Sequence, residues 1–407
     1  MKALFRIVIF ALVGSVTAGF VSCSDDDFTD SIFDTTEKEL DKTAFTYPLD
    51  AFLRDSFLVK YNLQFLYKMQ DIGSDMNYDL VPARYENSLD IAVLTKYLWY
   101  DVWEKYGGKD FLRNYSPRII HLIGSPEYNN DNTIVLGYAE GGLKITLTNV
   151  NGMNLNSIDQ LNELFFKTMH HEFGHILHQN YLYPTEFVLI SNSLYNPINW
   201  SNVHDSIAAA QGFASAYASN QKDDDWVEII ANYLTLDSVK WNDKINSAAF
   251  DWEMVSVDMN TWDKLDAKVK AGTAIRDTVG YNWEYKNASN NQYNIIRKSV
   301  RRDANDYALL DKDGKIQFLK SSGLNGKAIL LRKLQMVREY LQKYFSIDID
   351  KLREEVQHRE FFYDENGYIM KNPDGTFVNR LVSPLKSNPS MTLMDSLRQD
   401  VYKYRNQ

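Results

Sequence analysis

The chain has 407 residues, enough for one large or two medium domains of about 100–200 residues each. A composition of 44% hydrophobic, 24% charged and 14% aromatic residues excludes a disordered or fibrous chain, and a formal charge of −10 argues against a nucleic-acid partner. The single cysteine, Cys23, excludes an intramolecular disulfide and a thiolate metal cluster, so any metal must be held by His and carboxylate.

The first residues carry Lys2 and Arg6, then an apolar stretch from Ile7 to Val13, then the small-residue run Gly14 to Gly19. That layout predicts a signal peptide over residues 1–22, since the apolar part is shorter than the roughly 20 residues of a membrane span. The segment closes Phe20-Val21-Ser22-Cys23, which resembles a bacterial lipobox, with Cys23 as the lipidated first residue of the mature chain. The acidic run Ser24-Asp25-Asp26-Asp27 resembles the surface-export signal of Bacteroidetes lipoproteins and opens an acidic tether over residues 23–47. Removing residues 1–22 takes away two positive charges and moves the formal charge from −10 to −12.

From Leu49 to about Tyr106 apolar residues recur at helical spacing, as at Phe57, Tyr61, Leu63, Leu66 and Met69, which predicts a helical start to the body. Strand-like runs follow at 118–123, 133–136 and 143–148, with Gly141-Gly142 as a turn between the last two, and predict a small mixed or antiparallel sheet. Ser157 with Gln160 three residues on reads as a capping box that opens a helix from about Ile158 to Asn180. A second helix is expected after Asp223-Asp224-Asp225, whose charges suit a helix N-terminus, and the clearest later helix spans about Lys327 to Phe345. Tyr285 to Asn294 is polar and Asn-rich and reads as a loop, and no internal repeat stands out. The fold class expected is α+β, with a lobe over 48–180 that contains the Ser157 helix and a mainly helical lobe over 181–407.

Within the Ser157 helix stands His171-Glu172-Phe173-Gly174-His175, an H-E-x-x-H motif. At about 100° per residue, positions i and i+4 place both imidazoles on one face, able to share a Zn²⁺, with Glu172 projecting toward the water it would activate. Phe165, Phe166, Met169, Phe173, Ile176 and Leu177 fall on the opposite arc, so the histidines are not core residues of that helix. His178 shares the histidine face but lies about 10.5 Å along the axis from His171, too far to join the same ion, and suits either a supporting or substrate-facing role or simple surface exposure. Position 181 is Tyr, which excludes the three-histidine metzincin pattern.

The third ligand must come from elsewhere, and Glu228 is the expected one. In Trp226-Val227-Glu228-Ile229-Ile230-Ala231-Asn232-Tyr233-Leu234, Glu228 shares a polar face with Asn232 and Thr235 on an otherwise apolar helix, where a carboxylate needs a partner. Glu186 is the nearer competitor without that context. His121, His204 and His358 lack ligand spacing and read as structural.

These motifs, with Gly212-Phe213-Ala214-Ser215-Ala216-Tyr217-Ala218 between them, resemble the gluzincin arrangement, and specifically the zinc metallohydrolase lipoproteins of Bacteroidetes encoded beside outer-membrane nutrient importers. The resemblance covers the lipobox and about residues 130–240, with Trp226-Val227 where relatives often show Phe-Ala. It implies a zincin-like α+β fold, a Zn²⁺ cofactor, three protein ligands and a peptidase-like site on a cell-surface lipoprotein of the outer membrane. The expected chemistry is hydrolysis of a peptide or glycopeptide, with His171, His175 and Glu228 on the metal, Glu172 as general base and Tyr217 as oxyanion stabiliser. Leu143 to Thr148 is either an edge to which an extended peptide adds as another strand or an ordinary interior strand of the sheet. A zinc hydrolase of another amide or ester, and a capture lipoprotein that keeps the fold without turnover, are the alternatives. An intact Glu172 weighs against capture alone.

Overall fold

A computed structural model describes residues 39–69, 80–128, 134–135, 137–140, 143–274, 282–287 and 291–406. Cys23, the expected leader, most of the tether and the Gly141-Gly142 turn lie outside the described residues. Residues up to Ala44 and residues from Phe45 onward cluster as separate units. In the short described part of the first, Asp41 accepts the Thr43 amide at 2.9 Å. The rest concerns the second.

Among the helices of the described residues are α1 (Tyr85–Leu94), α2 (Asp101–Tyr115), α3 (Lys167–Asn180), α4 (Lys222–Thr235), α5 (Gly326–Phe345), α6 (Ile349–Glu360) and α7 (Leu393–Tyr402). A four-stranded sheet contains β1 (Gln64–Leu66), β2 (Ile119–Leu122), β3 (Gly137–Glu140) and β4 (Lys144–Leu147) in the order β1-β2-β4-β3. β1 and β4 run parallel to β2, whereas β3 and β4 are antiparallel, so the sheet is mixed and the fold class is α+β. β4 lies inside the sheet, which corrects the reading of residues 143–148 as an edge in favour of an interior strand; the edge beside α3 is β3. β4 pairs with a strand on each side, and Ile145, Thr146 and Leu147 are all buried, so both of its faces are covered there.

The Ser157 helix forms as its spacing requires. Ser157 Oγ accepts the Gln160 amide at 3.2 Å, while the Ser157 amide donates to the Asn154 carbonyl and not to Gln160, so the cap is one-sided and not the expected capping box; the helix runs from Ile158, and a wider π-type turn over Asn162–Phe166 precedes α3. Phe165, Phe166, Met169, Phe173, Ile176 and Leu177 are all buried. Phe173 meets Trp99 and Trp103 edge-on, each at 4.9 Å, a geometry that adds to the area each ring removes from water. On another flank of α3, Gly174 lets α4 come close: a Cβ there would lie 2.8 Å from Val227 Cγ1.

The boundary expected after Asn180 separates no cores. One hydrophobic cluster joins Leu49, Trp99, Phe173, Trp226, Leu334 and Val401, because α3 and α4, from opposite sides of that boundary, are each other's packing partners. Of residues 285–294, expected as a loop, 285–287 and 292–294 lie in strands instead: β5 (Trp252–Asp258), β6 (Asn282–Asn287) and β7 (Gln292–Lys298) make an antiparallel sheet in the order β5-β7-β6. Its polar sequence follows from one solvated face, while Ile295 packs on Trp262 and Leu265 of the helix Met259–Lys270.

The structure also reveals a repeat. Residues 300–318 and 361–379 fold alike at an offset of 61, with bridges Val300 to Phe318, Arg302 to Ala308 and Leu310 to Ile316 matched by Phe361 to Asn379, Tyr363 to Ile369 and Lys371 to Phe377. Asp303 and Asp364 each accept two backbone amides at the same turn. Ala308 and Ile369 are the buried equivalents. Only turn residues and tyrosines are shared, Asp303, Asn305, Tyr307, Asp313 and Gly314 with Asp364, Asn366, Tyr368, Asp374 and Gly375, so the copies are faint in sequence.

Candidate metal centre

α3 and α4 cross where Gly174 meets Val227, and that contact sets the distance between their polar faces. His171 and His175, one turn apart on α3, turn their Nε2 atoms to within 3.2 Å of each other. Asp224, in the first turn of α4, brings Oδ1 to 3.4 Å from His175 Nε2 and 3.8 Å from His171 Nε2. Among the described residues these three form the cluster of His and carboxylate donors with metal spacing. Ligands about 2.1 Å from one ion at tetrahedral angles lie about 3.4 Å apart, so the donor set fits zinc and leaves a fourth position for water or substrate.

Glu228, the expected third ligand, sits elsewhere. Its Oε1 meets His171 Nδ1 at 2.9 Å, on the edge of the ring away from the Nε2 pair. Its Oε2 accepts from Lys167 Nζ at 3.0 Å, Asn232 Nδ2 at 2.9 Å and Ser215 Oγ. The reason is helical: Asp224 and Glu228 are four residues apart and share one face of α4, but only the earlier residue reaches the Nε2 side. A carboxylate only accepts, so Glu228 keeps the His171 proton on Nδ1 and leaves the Nε2 lone pair for a metal.

The charges agree with these roles. Burial alone would raise the Glu228 carboxyl, yet Lys167 and His171 hold it well below the usual range. Asp224 is also lowered despite burial, by His175 and by Asn220, whose Nδ2 donates to Oδ2 at 2.7 Å and turns Oδ1 to the imidazoles. Glu172 is raised, chiefly by burial, as suits a proton acceptor beside the cluster. The Tyr217 ring lies 5.7 Å from His171, and its hydroxyl is raised by burial and by Asp224 and Glu172, so it stays a donor. Trp200 packs edge-on against Tyr217 at 4.9 Å.

The segment 212–218 reaches the site residue by residue. Gly212, at φ +89°, turns the chain where a side chain would strike Ile329, and its carbonyl accepts from Lys333 Nζ at 2.8 Å. Phe213 lies under that ammonium, Ser215 bonds Glu228, and Tyr217 faces His171.

His178 contacts His175: His178 Nε2 is 2.9 Å from His175 Nδ1. Glu186 is exposed in the first turn of the helix Thr185–Ser191 and does not join the cluster. His204 Nδ1 caps the helix Asp205–Ala210, His121 is buried at β2, and His358 stacks on Tyr363. Sequence reasoning missed Asp224, Lys167 and Ser215 as site residues. For Asp224 the signal was present, since a second carboxylate one turn before Glu228 shares its face.

Residues 42–350 match the model of a family described as “putative zinc-binding metallo-peptidase”. A crystal structure of a protein so described from Bacteroides caccae is similar at 28% identity and a TM-score of 0.53, over 81% of this chain and 95% of that one. No curated protein matches.

Proposed function

The chain belongs to that zinc-binding metallo-peptidase family, and on that premise we propose that it hydrolyses peptide bonds with a zinc ion held by His171, His175 and Asp224. The observation that carries this reading is the set of donor separations, 3.2, 3.4 and 3.8 Å, which matches the edges of a tetrahedral zinc site. Zinc bound there supplies Lewis acidity, polarising a scissile carbonyl and bringing the pKa of water toward about 7. Glu172 takes a proton from the attacking water and delivers it to the leaving amine. Tyr217 donates to the oxygen on which charge develops. Glu228 positions His171 and acts through it. With Asp224 in the ligand place the set is His-His-Asp, a departure from the gluzincin arrangement expected with Glu228.

The protein is further proposed to be a lipid-anchored outer-membrane protein, tethered through Cys23, exposed at the cell surface and acting on peptides or glycopeptides for a nutrient importer. The supports are the lipobox-like Phe20-Val21-Ser22-Cys23 and the acidic run after it.

The test is metal content together with turnover of a peptide and glycopeptide library. Wild type is expected to hold one zinc and cleave, and Glu172→Gln to hold the zinc and lose cleavage. Equal cleavage by both proteins would overturn the role of Glu172. Equal ligand uptake without turnover by either would favour a capture lipoprotein.

A further inference from the structure

We infer that His178 is a positioning residue that holds His175 in the tautomer and orientation metal binding requires, so that the two ligand imidazoles are braced by unlike partners. The inference rests on the metal reading above. For His175 to present its Nε2 lone pair, Nδ1 must carry the proton, and that N–H needs an acceptor. The acceptor in reach is His178 Nε2, at 2.9 Å. It comes from the next turn of the same helix, an i, i+3 pair. His178 is buried, so its removal leaves an N–H that water reaches poorly.

The ring of His178 is itself held. Tyr183 meets it edge-on at 5.4 Å and stacks on Trp226 at 4.8 Å. The Tyr183 hydroxyl donates to Asp223, the neighbour of Asp224. A continuous series of contacts thus runs from His175 through His178 and Tyr183 back to the first turn of α4, which carries the third donor. On the other side, His171 is braced by the carboxylate of Glu228, which is fixed by Lys167, Ser215 and Asn232. A carboxylate raises the basicity of the imidazole it holds more than a neutral imidazole does, so His171 is the stronger donor and His175 depends on His178 for orientation.

The experiment compares the full chain with His178→Ala and His178→Gln. Zinc affinity is read by competition with a chromophoric chelator, cobalt substitution by its visible spectrum, and the metal-free proteins by thermal unfolding. His178→Ala is expected to lose about 10–100-fold in zinc affinity and to shift the cobalt bands. His178→Gln, whose amide oxygen accepts the same hydrogen bond, is expected to recover most of the affinity, with metal-free unfolding alike in both variants. His178→Leu, which fills the site without an acceptor, replaces the Ala variant if that one does not fold. Wild-type affinity in the variants without an acceptor overturns the inference, as does equal weakening in Gln and Ala at matched metal-free stability. Wild-type protein that takes up no zinc overturns the metal reading and this inference together, whereas zinc uptake indifferent to position 178 overturns only the inference.

Discussion

One methylene and one helical turn separate the two carboxylates of α4 that face His171. Asp224 reaches the Nε2 side and Glu228 the Nδ1 side, and each is held by donors to its other oxygen, Asn220 for Asp224 and Lys167, Asn232 and Ser215 for Glu228. Asp224→Asn should therefore weaken zinc binding by more than the about 10–100-fold expected of Glu228→Gln, which leaves three ligands but loosens His171. Chelator competition on both variants checks the order, and the reverse order would return Glu228 to the metal. At this scale the sequence was legible where spacing alone decides, as for the pair His171 and His175. It was less so for Asp224, because three consecutive aspartates read equally well as helix-terminal charge, and which of them faces the histidines depends on how α4 docks.

Docking is an affair of elements. Gly174 allows α3 and α4 to approach, and an added Cβ would meet Val227 Cγ1 at 2.8 Å and Val227 Cβ at 3.0 Å. Overpacking of this kind costs about 1–3 kcal/mol, partly offset by the about 1 kcal/mol that Ala gains over Gly in a helix. Gly174→Ala is thus expected to change stability little but to lower zinc affinity by spreading His171 and His175 from Asp224, and Val227→Ala in the same protein should restore it; titration with zinc is the check. A second contact fixes α5 against α4. Lys333 Nζ lies 2.8 and 2.7 Å from the two oxygens of Asp225, both side chains fully buried, with Tyr195 donating to the same carboxylate. Lys333→Met strands that carboxylate and should cost about 3–5 kcal/mol in urea unfolding, while Asp225→Leu with Lys333→Met should recover most of it. The helices themselves were readable from periodicity and caps. The strands of residues 285–294 were not, since a strand solvated on one face and covered on the other by a helix has few apolar positions to announce it.

For the whole molecule, pH dependence has one clear source away from the metal. Glu360 closes α6 and is buried, with Oε1 accepting from Asn162 Nδ2 at 2.9 Å, and burial pushes its pKa from 4.5 up to about 8. The folded protein keeps this proton while the unfolded chain releases it near 4.5, so the contribution of this group to stability falls as pH rises from 4.5 to about 8 and is constant outside that window. The slope is at most about 1.4 kcal/mol per pH unit. Glu360→Gln should remove it, so that urea midpoints of wild type and variant diverge between pH 5 and pH 8; parallel midpoints would refute the assignment. Asn162, in the π-type turn ahead of α3, links Glu360 with the Thr235 carbonyl at the end of α4, so this group belongs to the same core that places the metal site. The count of one cysteine confined any metal to His and carboxylate, and short-range patterns were enough to determine the H-E-x-x-H helix, its buried arc and the mixed α+β character, because each of these depends on residues within a few turns of one another. The tertiary structure decided which carboxylate faces the Nε2 atoms, which strand is the edge, that one core spans the expected lobe boundary, and that two modules 61 residues apart are alike. Those depend on how distant segments pack, and a period of 3.6 or 2 residues says which face is apolar without saying what it meets.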